Sequence, residues 1–405
     1  MVSIEAELDQ LATFSEAGPP VVTRVVFTEA DLRARRYVKS LAQAANLTIR
    51  EDAVGNTFFR WTGEDPSLPA VATGSHIDAI PNAGRFDGTV GVLGGLEAIR
   101  TLQASGFKPR RSIELVMFTA EEPTRFGVGC LGSRLLAGVL DASAGERLRD
   151  KQGRTLNEVR AAAGFAGSLD SVRLAKGHYS AFVELHIEQG PLLEREGIPI
   201  GVVTGIAAPA SLRITIEGDG GHAGAVLMPD RHDAFLAAAE IALAAEAGAK
   251  NTGSIDTVAT AGVCDVFPGA INSVPSRATL MLDIRDIDGL RRDSVIQAID
   301  TAQREIAARR GVTIEVETIN ADDPASCDPR IVAALVEAAE RQKLPWRKMV
   351  SRAYHDSLFM SRLAPTAMLF IPCRNGYSHR PDEFASPEHI AQGAAVLAEA
   401  LRSLA

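Results

Sequence analysis

Three short segments of this 405-residue chain are largely apolar and rich in β-branched or aromatic side chains, and helical patterns stand between them. Because a strand without regular polar alternation must be covered on both faces, such segments predict buried strands of a mostly parallel sheet. With the intervening helices, the predicted fold class is α/β, with an α/β/α layered domain. The strand segments are SIELVMFT (112–119), SAFVELHI (180–187) and TAMLFIP (366–372), and the helices are predicted at 90–105, 330–342 and 387–404.

The middle of the chain has a different order of elements. Its strand and helix patterns follow the order β-α-β-β-α-β, which is the order of the ferredoxin-like, or split βαβ, arrangement. We therefore expect an inserted domain at 209–319 and a discontinuous outer domain formed by 1–208 and 320–405. The strand patterns lie at 211–221, 256–268, 277–286 and 312–319, and the helical ones at 234–249 and 289–309.

Composition and charge narrow the class of protein. Apolar residues make up 46% of the chain and the formal net charge is −9, so a globular protein without nucleic-acid partners is expected. No apolar stretch is long enough for a membrane span, and the first residues contain acidic side chains instead of a secretory signal. The four cysteines lack C-x-x-C spacing and are interpreted as reduced thiols, which predicts a cytoplasmic location.

Histidines and carboxylates follow these three predicted strands and a fourth, which opens the stretch ATGSHIDAIPNAGRFDGTVGVLGG (72–95). Because the carboxyl ends of parallel strands meet at one edge of a sheet, we expect these side chains to converge there. Each motif is weak by itself, but several imidazoles and carboxylates together suit two ions of Zn, Mn, Co or Ni that share a bridging carboxylate. The residues are His76 and Asp78, Asp87, Glu121 and Glu122, His186 with Gln189, and His379.

Two of these carboxylates are expected to have roles other than metal binding. Asp78 is expected to accept the free N–H of His76 and so to fix its tautomer. Of two adjacent glutamates, one can bind a metal while the other remains free as the general base. A catalytically inactive metal-binding or ligand-binding protein is the alternative to an enzyme.

The inserted domain carries a polar set of its own, formed by His222, Asn272 and Arg285. Arginine and histidine together would suit a substrate carboxylate or a polarised carbonyl. The sequence leaves a second interpretation open for Arg285, which is an ordinary ion pair with Asp283 or Asp286.

Several long motifs resemble the M20 metallopeptidase/amidohydrolase family and, within it, the amidase/carbamoylase branch. They are GSHIDAIPNAGRFDGTVGVLG, FTAEEPTRFG, ELHIEQGP, GGHAGAVLMPDRHDA, PGAINSVPS and RAYHDSLFM, and they span essentially the whole chain. The resemblance implies two divalent ions, with Mn²⁺ expected first and Zn²⁺, Co²⁺ or Ni²⁺ as alternatives. It also implies a homodimer formed through the inserted domain, which would act as a lid.

The resemblance assigns a role to each matching position. Asp87 would bridge the ions, with Glu121 as general base and Asp78 as a further catalytic residue. The remaining metal ligands would be His76, Glu122, His186 and His379, and the substrate contacts would be Gln189, His222, Asn272, Arg285, Tyr354 and His355.

Three segments bear on the substrate, namely SHIDAIP, TGIAAPAS and SRAYHDSLFM. Allantoate and carbamoyl-amino-acid enzymes tend to have a glutamine where this chain reads TGIAAPAS, and Gly-His where it reads Tyr354-His355. The loss of an amide at a buried polar site can discriminate strongly between substrates. The resemblance implies a small ureido-carboxylate, with (S)-ureidoglycolate converted to glyoxylate, CO₂ and ammonia. Allantoate, N-carbamoyl amino acids including β-ureidopropionate, and peptides are alternative substrates.

Overall fold

The computed structural model describes residues 3–405 and divides into two compact units. The first unit contains the chain up to Thr204 together with Cys327–Ser351 and His355–Ala405. The second unit contains Gly205–Ser326 and Arg352–Tyr354. It extends beyond the predicted range of 209–319, partly because a short strand at Ala325–Ser326 pairs with Gly205 and Ile206.

The helices and strands are numbered in chain order. The helices are α1 (Ile4–Ala12), α2 (Glu29–Ala44), α3 (Thr89–Ala104), α4 (Leu131–Ala137), α5 (Ala142–Arg147), α6 (Leu156–Ala162), α7 (Leu192–Glu196), α8 (Ala234–Asn251), α9 (Gly289–Arg310), α10 (Pro329–Arg341), α11 (Asp356–Met360) and α12 (Pro387–Leu404). The strands are β1 (Val22–Arg24), β2 (Thr48–Glu51), β3 (Thr57–Trp61), β4 (Ala70–His76), β5 (Ala79–Ala83), β6 (Ile113–Phe118), β7 (Tyr179–Ile187), β8 (Ile200–Ile206), β9 (Ala208–Glu217), β10 (Gly221–His222), β11 (Val258–Phe267), β12 (Ser273–Val274), β13 (Arg277–Asp286), β14 (Thr313–Ala321), β15 (Ala325–Ser326), β16 (Trp346–Ser351) and β17 (Thr366–Ile371).

The first unit is built on a mixed sheet in the order β8-β17-β7-β4-β6-β3-β2, with β16 beside β8. Its four central strands, β17, β7, β4 and β6, are mutually parallel. The outer pairs are antiparallel. The strand segments predicted at 112–119, 180–187 and 366–372 are three of the four parallel strands, and β6 and β17 are buried along their whole length.

Helices cover both faces of this sheet. On one face, Phe118 and Phe182 pack in a buried cluster with Leu131 of α4 and Met360 of α11. On the other face, glycines of α3 and α12 approach Leu115 and Leu185 so closely that a Cβ on them would force these leucine side chains to move. Because side chains of a strand alternate between its faces, the largely apolar strands supply both cores, and an α/β/α layered unit results.

Local capping determines where several helices begin. The hydroxyl of Thr155 caps α6 by accepting the backbone N–H of Glu158, and the carboxylate of Glu158 accepts the backbone N–H of Thr155, which completes a capping box. Ser386 caps α12, and Pro387 occupies its first turn, where a missing N–H costs nothing. The range of 387–404 predicted from the helical pattern matches the observed one.

The second unit has the predicted β-α-β-β-α-β order. Its main sheet is antiparallel, with the strand order β11-β13-β9-β14. Side chains of β13 alternate between buried and partly exposed positions, as expected for a sheet with one covered face. Helices α8 and α9 supply that cover, since Ile241 and Ile299 lie in one buried cluster with Ile214 and Leu280.

In the part of the chain that the structure describes, every helix is either too short or too polar to cross a lipid bilayer.

Candidate active site

The parallel strands bring the predicted histidines and carboxylates to one edge of the sheet. His76 is the last residue of β4, and His186 is the last but one of β7. Glu121 and Glu122 follow the end of β6, and His379 follows β17. These strands are neighbours in the sheet, so their carboxyl ends form a single rim, as open α/β sheets do at their ligand sites.

One group of possible metal ligands consists of His76, Asp87 and His186. Their nearest ligand atoms lie within 4.8 Å of one another, and all three side chains are buried. Oδ1 of Asp87 lies 3.5 Å from Nε2 of His76 and 3.3 Å from Nε2 of His186. Two imidazoles and a carboxylate that converge in this way suit a divalent transition-metal ion.

A second group shares Asp87 and adds Glu122 and His379. Here the other carboxylate oxygen of Asp87, Oδ2, lies 3.4 Å from Nε2 of His379. Nε2 of His379 lies 3.1 Å from Oε1 of Glu122, and this hydrogen bond raises the pKa of His379 to about 9. Each oxygen of Asp87 therefore faces a different group, which is the arrangement that a carboxylate bridging two ions requires.

Backbone carbonyls orient the two histidines of the first group. Nδ1 of His76 lies 3.0 Å from the carbonyl oxygen of Asp78, and Nδ1 of His186 lies 2.9 Å from that of Ile187. The expectation that the Asp78 carboxylate accepts the N–H of His76 needs correction, because its nearer oxygen is 3.7 Å away. The carbonyl of the same residue takes this role and leaves Nε2 free to face the site.

The Asp78 carboxylate instead holds the two adjacent glutamates. Its oxygens accept the backbone N–H of Glu121 at 3.2 Å and of Glu122 at 3.1 Å. Oε2 of Glu121 lies 3.6 Å from Nε2 of His76, and the thiol of Cys130 donates to Oε1 of Glu121 at 3.3 Å. Glu121 thus stands beside the first group without belonging to either group, as a general base would.

Burial and charge shift the pKa values of the site in different directions. Burial would lower the pKa of His76, but the charges of Glu121 and Asp87 outweigh it and raise that pKa well above its usual value. Burial raises the pKa of Glu121 well above its usual value, and the charge of Glu122 adds to the rise. The pKa of Asp87 lies well below its usual value despite burial, because His186 and His76 donate hydrogen bonds to it. Closely packed acids of this kind favour cations.

Strained backbone occurs at this rim. Ala120, Gln189 and His379 have φ values of +54°, +55° and +59°, a region that non-glycine residues seldom adopt. Gly88 also has a positive φ, and a Cβ there would lie 2.4 Å from Nε2 of His76. Of these residues only His379 belongs to a ligand group, and the others are its neighbours at the site, where backbone strain is often found.

Gln189 and His355 were predicted to face the substrate, and both lie against the ligand groups. Nε2 of Gln189 donates to Oδ2 of Asp87 at 2.6 Å, while its Oε1 is buried without a hydrogen-bond partner among residues 3–405. The imidazole of His355 packs edge-on against His186 with ring centroids 4.6 Å apart. Its Nε2 lies 2.9 Å from the hydroxyl of Ser351.

Sequence reasoning missed several polar residues behind the ligands. Glu184 forms a third possible ligand group with His186 and His355, but its oxygens already accept hydrogen bonds from Ser75 and Ser357. We interpret it as a buried polar support. A charged residue inside the apolar segment SAFVELHI was the signal that could have revealed Glu184.

Ser378 and Glu383 were also missed. The Ser378 hydroxyl contacts both Oδ2 of Asp87 and Oε2 of Glu383. Nothing in the local pattern around Glu383 distinguishes it from an ordinary acidic loop residue, because its partners are distant in sequence.

The remaining predicted substrate contacts belong to the second unit. His222 ends the short strand β10, and Asn272 directly precedes β12, which pairs with β10. The N–H of Ala223 donates to the carbonyl of Asn272 at 2.9 Å, and both His222 and Asn272 are exposed. Arg285 donates to Asp283 at 2.7 Å, so the ordinary ion pair is present. Tyr354 donates to Asp322 at 2.5 Å.

Comparison with known proteins places this geometry in a family. The model of Peptidase family M20/M25/M40 matches residues 72–403. The chain is 54% identical to ureidoglycolate hydrolase of Arabidopsis thaliana over 99% of its own length and 86% of that protein. It is 39% identical to N-carbamoyl-L-amino acid amidohydrolase of Geobacillus stearothermophilus, over 95% of this chain and 93% of that protein.

A solved structure extends the similarity to three dimensions. The crystal structure of AtUAH in complex with glyoxylate superposes with a TM-score of 0.90 at 54% identity, and the match covers 99% of this chain and 96% of that one. The family match includes every residue of the two ligand groups. The protein therefore belongs to the M20/M25/M40 peptidase family, and the relatives to which it is similar include a ureidoglycolate hydrolase and an N-carbamoyl-L-amino acid amidohydrolase.

Proposed function

We propose that the protein is a two-metal amidohydrolase that hydrolyses (S)-ureidoglycolate to glyoxylate, CO₂ and ammonia, a step in ureide breakdown. The observation that carries the proposal is Asp87, whose two oxygens face two ligand groups at the rim of the sheet. The 54% identity to a ureidoglycolate hydrolase and the similarity to a glyoxylate complex support the choice of substrate.

The donor set fits two divalent ions. His76, Asp87 and His186 would hold one ion, and Asp87, Glu122 and His379 the other. Imidazole and carboxylate ligands without a thiolate suit Mn²⁺, which we propose as the native ion, and they also accept Zn²⁺, Co²⁺ or Ni²⁺. Bound ions would supply Lewis acidity toward the ureido carbonyl and would lower the pKa of a water molecule.

Glu121 would be the proton carrier. It lies outside both ligand groups, and its backbone is held by Asp78, so its carboxylate stays beside His76. Glu121 would take a proton from the attacking water and return it to the nitrogen that leaves as the C–N bond breaks. Over the whole reaction one substrate and one water give glyoxylate and CO₂, and both nitrogens leave as ammonia.

Polar groups near the rim would orient the substrate. Oε1 of Gln189 is a buried acceptor without a partner among the described residues, and a ureido N–H is a donor that would satisfy it. From the second unit, Arg285 and Asn272 would bind the substrate carboxylate, and His222 would stabilise the developing oxyanion. Tyr354 and His355, where related enzymes tend to have Gly-His, would contribute to substrate choice.

We also propose a homodimer formed through the second unit, which would act as a lid. Its two edge strands carry exposed apolar side chains, namely Val258, Val263 and Phe267 on β11 and Val316 and Ile319 on β14. Exposed edges of this kind favour association with another chain. Sedimentation of the purified protein tests this point, and a monomer at micromolar concentration would contradict it. The four free cysteines support a reducing, cytoplasmic location.

A substrate panel tests the proposed activity. The metal-free protein is reloaded with Mn²⁺ and assayed with (S)-ureidoglycolate, allantoate, N-carbamoyl amino acids, β-ureidopropionate and a dipeptide. We expect the highest kcat/KM for (S)-ureidoglycolate, with both nitrogens recovered as ammonia. A higher kcat/KM for any other member of the panel would replace the proposed substrate, and no activity with any member would favour a binding protein.

A further inference from the structure

Glu383 is a buried carboxylate that joins two loops of the site. Glu383 is only 4% exposed, although it lies in a loop between β17 and α12. Oε1 of Glu383 accepts the backbone N–H groups of Phe86 at 2.7 Å and Asp87 at 3.0 Å. A carboxylate that accepts two backbone N–H groups makes strong, charge-assisted hydrogen bonds. Glu383 therefore holds the peptide that carries the shared ligand Asp87.

The second oxygen of Glu383 reaches the loop that carries His379. The hydroxyl of Ser378 lies 3.0 Å from Oε2 of Glu383, and the same hydroxyl contacts Oδ2 of Asp87. Ser378 directly precedes His379, which belongs to the second ligand group together with Asp87. The side chain of Glu383 thus links the backbone of Asp87 to Ser378, the residue that precedes His379.

The packing around Glu383 shows that the contact is built into the loop. A Cβ at Gly84 would lie 2.3 Å from Cβ of Glu383 and 2.5 Å from its Oε1. Real Cβ atoms do not approach other atoms so closely, so a side chain at position 84 would displace Glu383. The absence of a side chain at Gly84 leaves the space in which the Glu383 carboxylate meets the backbone of Phe86 and Asp87.

We propose that Glu383 is a positioning residue, which acts with Ser378 to set the distance between Asp87 and His379 and so completes the second ligand group. It belongs to neither ligand group. The inference rests on the proposed two-ion site, but not on the proposed substrate.

The two linking residues have separable effects. Oδ1 of Asp87 faces His76 and His186, whereas Oδ2 faces His379 and contacts Ser378. Loss of the Ser378 hydroxyl therefore weakens the second ion selectively. Loss of Glu383 frees both loops and weakens the second ion more strongly, because the backbone of Asp87 and the neighbour of His379 are released together.

The experiment measures Mn²⁺ binding to the full-length, metal-free protein by calorimetry. The electron paramagnetic resonance signal of coupled Mn²⁺ pairs is a second readout. The variants are Glu383→Ala, Glu383→Gln and Ser378→Ala. The matched control is Asp382→Asn, because Asp382 is the adjacent carboxylate, is exposed and pairs only with Arg380 among the contacts of the described chain.

We expect Glu383→Ala to weaken the second Mn²⁺ by about 10–100-fold, the usual effect of removing a support of a metal ligand. Ser378→Ala should show a smaller loss, and Glu383→Gln should recover part of the affinity because its amide oxygen can still accept backbone N–H groups. A large excess of Mn²⁺ should restore kcat with KM unchanged, and Asp382→Asn should bind both ions like the unsubstituted chain.

Three results would overturn the inference. The first is two-ion binding of unchanged affinity in both Glu383 variants. The second is a loss of Mn²⁺ affinity in Asp382→Asn that equals the loss in Glu383→Ala. The third is an equal loss of both ions together with a lower melting temperature of the metal-free protein, which would make Glu383 a general structural residue. If Glu383→Ala does not fold, the Mn²⁺ affinities of Glu383→Gln and Ser378→Ala still test the inference. If the unsubstituted chain itself binds fewer than two ions, the proposed two-ion site fails.

Discussion

The carboxylate of Asp78 holds the backbone of Glu121, because its Oδ1 accepts the Glu121 N–H at 3.2 Å while its Oδ2 accepts the N–H of Glu122 at 3.1 Å. One buried side chain thus positions both a metal-ligand candidate and the proposed general base. Burial raises the pKa of Asp78 to about 6, while the hydrogen bond from the Glu122 N–H acts in the opposite direction and favours the ionised form.

Asp78→Asn should impair turnover more than metal binding. The amide presents an N–H₂ group to one of two backbone N–H donors, so one hydrogen bond is lost and one donor stays buried without a partner. We expect kcat to fall by about 10–100-fold, while His76 keeps its contact with the Asp78 carbonyl. Steady-state kinetics at saturating Mn²⁺, with metal analysis of the same sample, measure both quantities. An unchanged kcat would show that Asp78 does not position Glu121.

Glu121→Gln should abolish most turnover. The glutamine side chain cannot accept and return a proton, so a fall in kcat of about 10²–10⁴-fold is expected. Metal content should stay at that of the unsubstituted chain, since Glu121 belongs to neither ligand group. Activity and metal content are measured on one preparation, and a variant that still turns over would remove Glu121 from the role of base.

Mixing two inactive variants tests whether a site uses residues of two chains. In a dimer of Glu121→Gln and His222→Ala chains, a site completed in trans would combine an intact Glu121 with an intact His222. Random exchange should then restore about a quarter of the unsubstituted activity, because half of the dimers are hybrids with one intact site. No recovery in dimers shown to be mixed would mean that His222 acts within its own chain.

Gly88→Ala should remove a metal ligand from its position. A Cβ at Gly88 would lie 2.4 Å from Nε2 of His76, whereas Gly106, with a similar positive φ, has nothing within 4 Å of such an atom. Both alanine variants should lose about 1 kcal/mol of stability from the left-handed backbone. Only Gly88→Ala should also lose Mn²⁺ affinity, measured by calorimetry, and equal affinities in the two variants would contradict the steric explanation.

Glu240→Gln should make the stability of the second unit less sensitive to acid. Hydrogen bonds from Arg309 and Arg310 lower the pKa of Glu240 from 4.5 to about 2. Because the folded-state value is the lower one, the ion pairs stabilise the fold above pH 4.5, and this contribution is lost as the pH falls toward 2. The variant should lose about 1 kcal/mol at neutral pH, with a difference that shrinks in acid. Thermal unfolding over this pH range measures it, and a constant difference would exclude the effect.

The positions of the buried strands could be predicted because a strand that is covered on both faces consists largely of apolar residues. The segments 112–119, 180–187 and 366–372 correspond to β6, β7 and β17, whose side chains are nearly all buried. The convergence of His76, His186 and His379 followed from the rule that parallel strands end at a common edge. The antiparallel strands at the edges of the sheet were not predicted, because the pairing of edge strands depends on partners that are distant in sequence and not on local pattern.

The chemical types of the ligands and the strands that present them were thus determined by the sequence itself, since side-chain periodicity and composition act locally. Only the tertiary structure decided which oxygen of Asp87 faces which histidine, and that the Asp78 carboxylate binds the peptide of Glu121 instead of the ring of His76. The contact of Glu383 with Phe86 joins residues 297 positions apart. A hydrogen bond of this kind depends on atomic positions to within a few tenths of an ångström, which the packing of the whole first unit determines and no local sequence pattern records.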